Sequence, residues 1–297
     1  MRAAISLPST EEKLGGIMGA ICSRRAGIGR RLTANARAQR DPTRSTLLRK
    51  QYVSEIRKRY TRVGTAVRDL VVNQDALGLA GGRRAGLFAE SPLGGDGDTL
   101  TAFDTWLMGI MAAEFDGDWQ ERYVRAAYMR GLALANGYAV AAGVPAFDSP
   151  DYLLTLPPYN SRYLLHLSQQ RANLKQNTEN ARNKMVVALG AILLMPQIGS
   201  MEANRWLQNE LKKYGRIRGE ALARTGVVSV LNDAILDRLE AVGFKNVTPA
   251  VEFTTVGDER VCPTCAALDG RVYSIKEARG VIPVHISCRC SWLPFIK

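Results

Sequence analysis

Four of the chain's five cysteines and one of its two histidines fall close together, as Cys262-Pro-Thr-Cys265 and His285-Ile-Ser-Cys288-Arg-Cys290. A Cys-x-x-Cys pair on a turn offers two thiolates to one point, and a second Cys/His group can complete a tetrahedron around zinc. The expected structural site takes Cys262, Cys265 and two of His285, Cys288 and Cys290. Five candidates compete for four positions, so disulfides or plain buried thiols stay open as alternatives. Catalytic zinc is disfavoured, because no Glu or spare His nearby offers itself as a base and the ligands could fill every position.

Other groupings carry less chemistry. Glu114, Asp116, Asp118 and Glu121 resemble a nuclease metal set, but on a helix their spacing scatters them around the axis, so a solvated face is expected. Gly94-Gly95-Asp96-Gly97-Asp98 lacks calcium-loop spacing, and Gly81-Gly82-Arg83-Arg84 is not followed by the Gly-Lys-Ser/Thr of a phosphate loop. His166 reads as a packed or half-exposed imidazole, and Cys22 as an unpaired thiol.

The elements that must position the cluster are mostly helical. Tyr52, Ile56, Tyr60, Val63, Val67 and Leu70 recur at helical spacing, and the opposite face carries Arg49, Lys50, Arg57, Lys58 and Arg59. Helical patterns follow over about 100–142, 161–195, a stretch through Trp206 to Tyr214, and Glu220 to Val242. Only near the end does the period change. Val247–Val256 reads as a strand, and Asp269-Gly270 is a turn signal before a short strand at Arg271–Ser274. The predicted fold class is α+β: a mainly α-helical body, a small β-containing, Cys/His-rich C-terminal subdomain and a basic N-terminal arm. The divisions expected are 1–45 (basic, flexible arm), 46–160 (N-terminal helical region), 161–245 (helical core region) and 246–297 (Cys/His-rich subdomain).

Charge is segregated. The net charge is +12, and residues 1–68 alone hold sixteen Lys/Arg against four Asp/Glu. Arg24, Arg25, Arg30 and Arg31 in the arm, with the cationic face of the helix after it, are the expected contacts to nucleic acid or an acidic protein surface. No run of apolar residues reaches the length of a membrane span.

The last quarter resembles the Mu F-like minor head protein (head morphogenesis) family of tailed bacteriophages. The motifs that carry the resemblance are Ala223-Arg224-Thr225, then Thr255-Val256-Gly257-Asp258-Glu259-Arg260-Val261-Cys262-Pro263-Thr264-Cys265. Leu268-Asp269-Gly270, His285, Cys288-Arg289-Cys290 and Pro294 follow in the family's order. One departure stands out: Gly226 occupies a position where the family usually places Glu.

The resemblance implies a bacteriophage virion protein at the head or portal vertex, made in the bacterial cytoplasm, with portal protein, major capsid protein and phage DNA as partners. It also implies a role in head morphogenesis, packaging or ejection. No nucleophile–base pair or cofactor loop is legible in the residues, so no enzymatic activity is expected. Arg224 and Thr225 are expected to anchor their helix against the terminal unit. Asp258 and Arg260 are expected to form a turn with Arg260 pinned to a carboxylate. Thr255, Asp269, Gly270 and Arg289 complete the expected structural motif. The alternative is a virion-delivered enzyme or effector, a nuclease or ADP-ribosyltransferase-like protein, since the family's domain also occurs joined to toxin modules.

Overall fold

A computed structural model describes residues 41–79, 99–141, 149–195, 197–242 and 250–295. Arg24, Arg25, Arg30, Arg31, Cys22 and the glycine-rich stretch 81–98 lie outside the described residues. The fold is mainly helical with one small sheet: α1 (Thr46–Arg68), α2 (Thr99–Phe115), α3 (Glu121–Ala141), α4 (Pro150–Leu153), α5 (Tyr159–Leu193), α6 (Ser200–Glu210), α7 (Ile217–Val242), β1 (Ala250–Thr254), α8 (Pro263–Ala266), β2 (Val272–Ser274), α9 (Ile275–Ala278) and β3 (Ser291–Phe295). π-helical turns extend α1 at Asp69–Asn73 and join α6 to α7 at Leu211–Arg216. None of the described helices is long and apolar enough to cross a membrane.

The chain divides into two compact units. Among the described residues, one holds those of 46–126 and 161–227, the other those of 41–45, 127–160 and 228–295.

The helical unit is built on the stripes that the sequence shows. Ile56, Tyr60, Val63, Val67 and Leu70 are buried, as are Phe103, Leu107, Met111 and Phe115 of α2 and Leu174, Ala181, Met185 and Leu189 of α5. Each large aliphatic side chain removed from water contributes about 1.5–3 kcal/mol before the cost of ordering it. The Tyr60 and Phe115 rings meet at 4.5 Å between centroids. Tyr60 also explains the π turn at 211–216: its ring lies where a Cβ on Gly215 would sit, 2.6 Å from ring carbon Cε1. Asn177 Nδ2 bonds the Tyr60 hydroxyl at 2.8 Å and the Gly215 carbonyl at 3.1 Å. The widened turn thus keeps its backbone satisfied.

The helical pattern over 100–142 is interrupted, which corrects the expected placement of the acidic group. α2 stops at Phe115, and Gly117 turns the chain with φ +90°. Asp116 and Asp118 therefore lie on a connection rather than on a helix face. Glu114 accepts both of its bonds from Arg62 Nε at 2.8 Å, Asp118 pairs with Arg171, and Glu121 accepts from the Tyr163 hydroxyl at 3.1 Å. At least three of the four carboxylates serve as internal partners.

The second unit centres on an antiparallel sheet of order β2-β1-β3. Val251 and Phe253 on the middle strand point into a core with Val228, Leu231, Ile235 and Leu239 of α7 and Trp292 of β3. Trp292 receives the edges of two rings, Phe253 at 5.7 Å and Tyr273 at 5.4 Å. α3 approaches α7 closely at Gly131, where a Cβ would stand 2.3 Å from the Leu231 carbonyl oxygen. β3 was not expected from the sequence. Cys265, Cys288 and Cys290 belong to this same core.

Candidate metal centre

The first pair of thiols is set by a helix start. Cys262 is the N-cap of α8 with Pro263 behind it, and its Sγ accepts the Cys265 backbone N–H at 3.3 Å. Proline suits that first helical position because its missing N–H would have had no partner there. The turn leaves both sulfurs on one side. Upstream, Asp269 Oδ1 accepts the Thr255 N–H at 2.8 Å. Gly270, at φ +79°, donates its N–H to the Phe253 carbonyl at 2.9 Å, so the Asp-Gly turn holds the first loop onto β1.

The second group closes over the first. His285 Nε2 lies 3.2 Å from Cys265 Sγ, while His285 Nδ1 sits 2.8 Å from the Ile286 carbonyl. A ring whose Nδ1–H is donated to a carbonyl keeps the Nε2 lone pair free for a metal. The Cys288 N–H turns back onto the His285 carbonyl at 3.1 Å. His285 and Cys288 thereby repeat the spacing of Cys262 and Cys265.

Two overlapping sets result, Cys262/Cys265/His285 and Cys265/Cys288/Cys290, with the ligand atoms of each within 4.8 Å of one another. Thiolates around a tetrahedral ion at about 2.3 Å stand just under 4 Å apart, so either set needs only small adjustment to close. Cys265, Cys288 and Cys290 are buried, Cys262 is half-buried, and all four are free thiols. The residues fit a soft divalent ion.

The protonation pattern inside the cluster is uneven. The Cys265 N–H holds the Cys262 thiol below its usual range, and the Cys290 side chain draws Cys288 down to about 5. Burial pushes Cys265 up to about 12, and the neighbouring Cys288 drives Cys290 upward. The bond to Ile286 raises His285.

Outside the ligands, several expected roles change hands. Asp258 is pinned by Arg289, not by the guanidinium of Arg260, whose backbone N–H alone reaches Asp258 Oδ1 at 3.1 Å. Arg224 pairs with Glu220 at 3.1 Å, and the Thr225 hydroxyl donates to the Ala221 carbonyl at 2.8 Å, both within α7. The anchoring expected of them falls to Asn232. Its Nδ2 donates to the Cys290 carbonyl at 3.2 Å, and its Oδ1 accepts the Trp292 N–H at 3.0 Å. Asp237 adds a second tie, accepting from Arg279 Nη1 at 2.8 Å and from the Tyr128 hydroxyl at 2.6 Å. A polar residue inside the apolar stripe of a helix was the one available signal for both.

The cationic face of α1 is only partly free. Lys50 and Lys58 are exposed, and Arg49 is bonded to the Thr46 hydroxyl at 3.2 Å. Arg57 forms a two-pronged pair with Glu220 at 3.0 and 3.1 Å. Arg59 is drawn inward, paired with Glu55 at 2.9 Å and lying 4.0 Å over the Trp119 ring. Arg59 is therefore corrected from solvent-facing cation to structural partner. Gly226, the departure from the family pattern, is where Gln170 of α5 comes close: a Cβ there would meet Gln170 Oε1 at 2.1 Å.

Residues 197–293, from α6 to β3, match the family model described as Phage Mu protein F like protein. No curated protein and no solved structure matches the chain.

Proposed function

We propose that this chain is a non-enzymatic structural protein of the bacteriophage head, acting at the portal vertex during head morphogenesis. The supporting observation is the coincidence of two independent facts. The span that matches the phage family includes every residue of the Cys/His cluster, and their thiols and imidazole converge on one small volume. In this reading zinc is the resident ion, held by Cys262, Cys265 and two of His285, Cys288 and Cys290. Bound there, it supplies cross-linking of two loops that share a core too small to be rigid alone. An apparent contribution on the order of 10–16 kcal/mol, as in zinc-finger peptides, would dominate the stability of this unit. A rigid unit of this kind suits a protein contact with portal or major capsid protein. The basic arm would meet phage DNA or an acidic face of the portal, and a virion protein assembled in the host cytoplasm keeps such thiols reduced.

Mass spectrometry of purified particles, with affinity capture on portal and capsid proteins, tests the reading. The chain should be present in purified heads and retained by the portal protein. Heads that assemble without it, or capture by neither protein, would refute the assignment. Elemental emission on the purified chain should find one zinc per molecule, lost in Cys262→Ser and Cys265→Ser variants.

A further inference from the structure

The helical unit carries a groove that neither the cysteine cluster nor the basic arm accounts for. It is an open cavity of about 570 Å³ bounded by α1, α6 and the π turn at 211–216. Four cations line it: Arg68 at the end of α1, Arg205 on α6, and Lys212 and Arg216 on the π turn. None of the lining residues carries a carboxylate.

The balance around these cations is lopsided. Glu220, one turn beyond Arg216, is already saturated, accepting from Arg57 at 3.0 and 3.1 Å and from Arg224 at 3.1 Å. Arg216 Nε stands 3.9 Å from that carboxylate, beyond hydrogen-bond distance, and is a buried donor with no acceptor. Arg68, Arg205 and Lys212 are exposed and form no ion pair among the described residues. The groove's neutral polar groups are meanwhile occupied. The Thr61 and Thr65 hydroxyls donate to the Arg57 and Thr61 carbonyls, and the Gln208 amide donates to the Gly64 carbonyl at 2.6 Å. The charged groups left to meet a ligand are the exposed cations Arg68, Arg205 and Lys212, with Arg216 beside them in the lining.

The backbone is shaped for the same end. π turns are uncommon and recur at functional sites, because the wider turn re-aims side chains at the cost of poorer backbone bonding. Here the cost is offset by the seating of Gly215 on Tyr60 and by the Asn177 bond to the Gly215 carbonyl. Lys212 and Arg216 flank that seat and line the groove together. Arg68, Arg205 and Lys212 line one groove without a carboxylate among its lining residues, and such a set selects an anion with several acceptor oxygens; phosphate meets that description better than a single carboxylate.

We propose that this groove is a binding site for phosphate groups, whether free phosphate or the phosphodiester backbone of nucleic acid. The site is independent of the head-protein reading and of the residues that reading assigns to nucleic-acid contact.

The test uses the full chain at low salt, titrated with inorganic phosphate and, separately, with a short single-stranded oligonucleotide. An Arg205→Ala/Lys212→Ala variant should bind about tenfold more weakly or worse, as expected for loss of charge-assisted contacts. An Arg271→Ala/Lys276→Ala control removes the same charge from the other unit and should bind as the parent does. Both altered positions in the groove are exposed, and a Lys212→Gln single variant gives a second measurement if the double variant melts early. Tight, salt-sensitive oligonucleotide binding with weak phosphate binding identifies the backbone as the source, and equal affinity per phosphate identifies the free anion. Either result supports the site. Failure of the parent chain to bind either ligand, or equal weakening in groove and control variants, would overturn it.

Discussion

Arg289 lays its guanidinium against Asp258 with two parallel bonds of 2.7 Å, Nη1 to Oδ2 and Nη2 to Oδ1. The pair ties the loop four residues before Cys262 to the residue between Cys288 and Cys290. It therefore clasps the two halves of the thiol cluster from outside, and the fork geometry that does so is available to arginine and not to lysine. With zinc loaded as proposed, the Arg289→Lys change should leave the helical unit intact while the ion is released faster to a chelator, by about tenfold on the scale of outer-sphere supports of metal ligands. Competition with a chromophoric chelator reads the rate, and an unchanged rate would show the pair to be ornamental.

Removing Asn232 strands two backbone groups. Asn232→Ala leaves the Trp292 N–H and the Cys290 carbonyl without their partner in a site where Asn232 itself is fully buried. A loss of about 2–4 kcal/mol is expected, summed over two buried unsatisfied groups. Urea unfolding followed by near-ultraviolet dichroism should show the lower midpoint.

Two glycines in helices should respond differently to the same change. Gly131→Ala drives a methyl into the Leu231 backbone oxygen at 2.3 Å, and backbone does not yield easily, so about 1–3 kcal/mol of destabilisation follows. Gly226→Ala meets only the end of the Gln170 side chain, which can swing aside. The gain in helix propensity, about 0.5–1 kcal/mol, then leaves that variant near neutral. Thermal melts of the two proteins side by side decide it.

Acid sensitivity should trace to Glu220. Burial alone would raise this carboxyl, but Arg57, Arg224 and Arg216 outweigh it and hold the group below its ordinary 4.5. A carboxyl lowered on folding contributes stability that is complete above the unfolded value and is lost as pH falls through the folded one. The contribution should therefore be intact above about pH 5 and fade below 4.5. Glu220→Gln should flatten that part of the stability curve, and an unchanged slope between pH 5 and 3 would contradict the assignment.

Much of this fold was legible in the sequence because helices advertise themselves by period. The stripe from Tyr52 to Leu70 and the one from Val228 to Leu239 are buried as their spacing requires. The thiol cluster was legible for a different reason, the rarity of its residue types. Failures occurred where long-range partners overrule local pattern. The π turn at 211–216 goes with the Tyr60 ring, which occupies the space a Cβ on Gly215 would need; the break at Gly117 was a local signal overlooked within a helical run. Pro294 disguised β3 as a loop, although it stands opposite Val251 in the ladder. Arg289 outcompetes Arg260 for Asp258 because its position on the facing loop permits two bonds, something adjacency in sequence cannot reveal.

The outward flank of β3 has one more consequence. The Trp292 N–H turns away from β1 toward Asn232, and alternation along a strand sends residue 294 the same way, where proline has no hydrogen to offer. The Cys290 carbonyl is likewise taken. An unprotected border of a sheet is a template on which a neighbouring copy can add its own strand, and this border is blunted by one proline and one side-chain amide. Copies crowded together at high local concentration would thus be kept from polymerising through that flank.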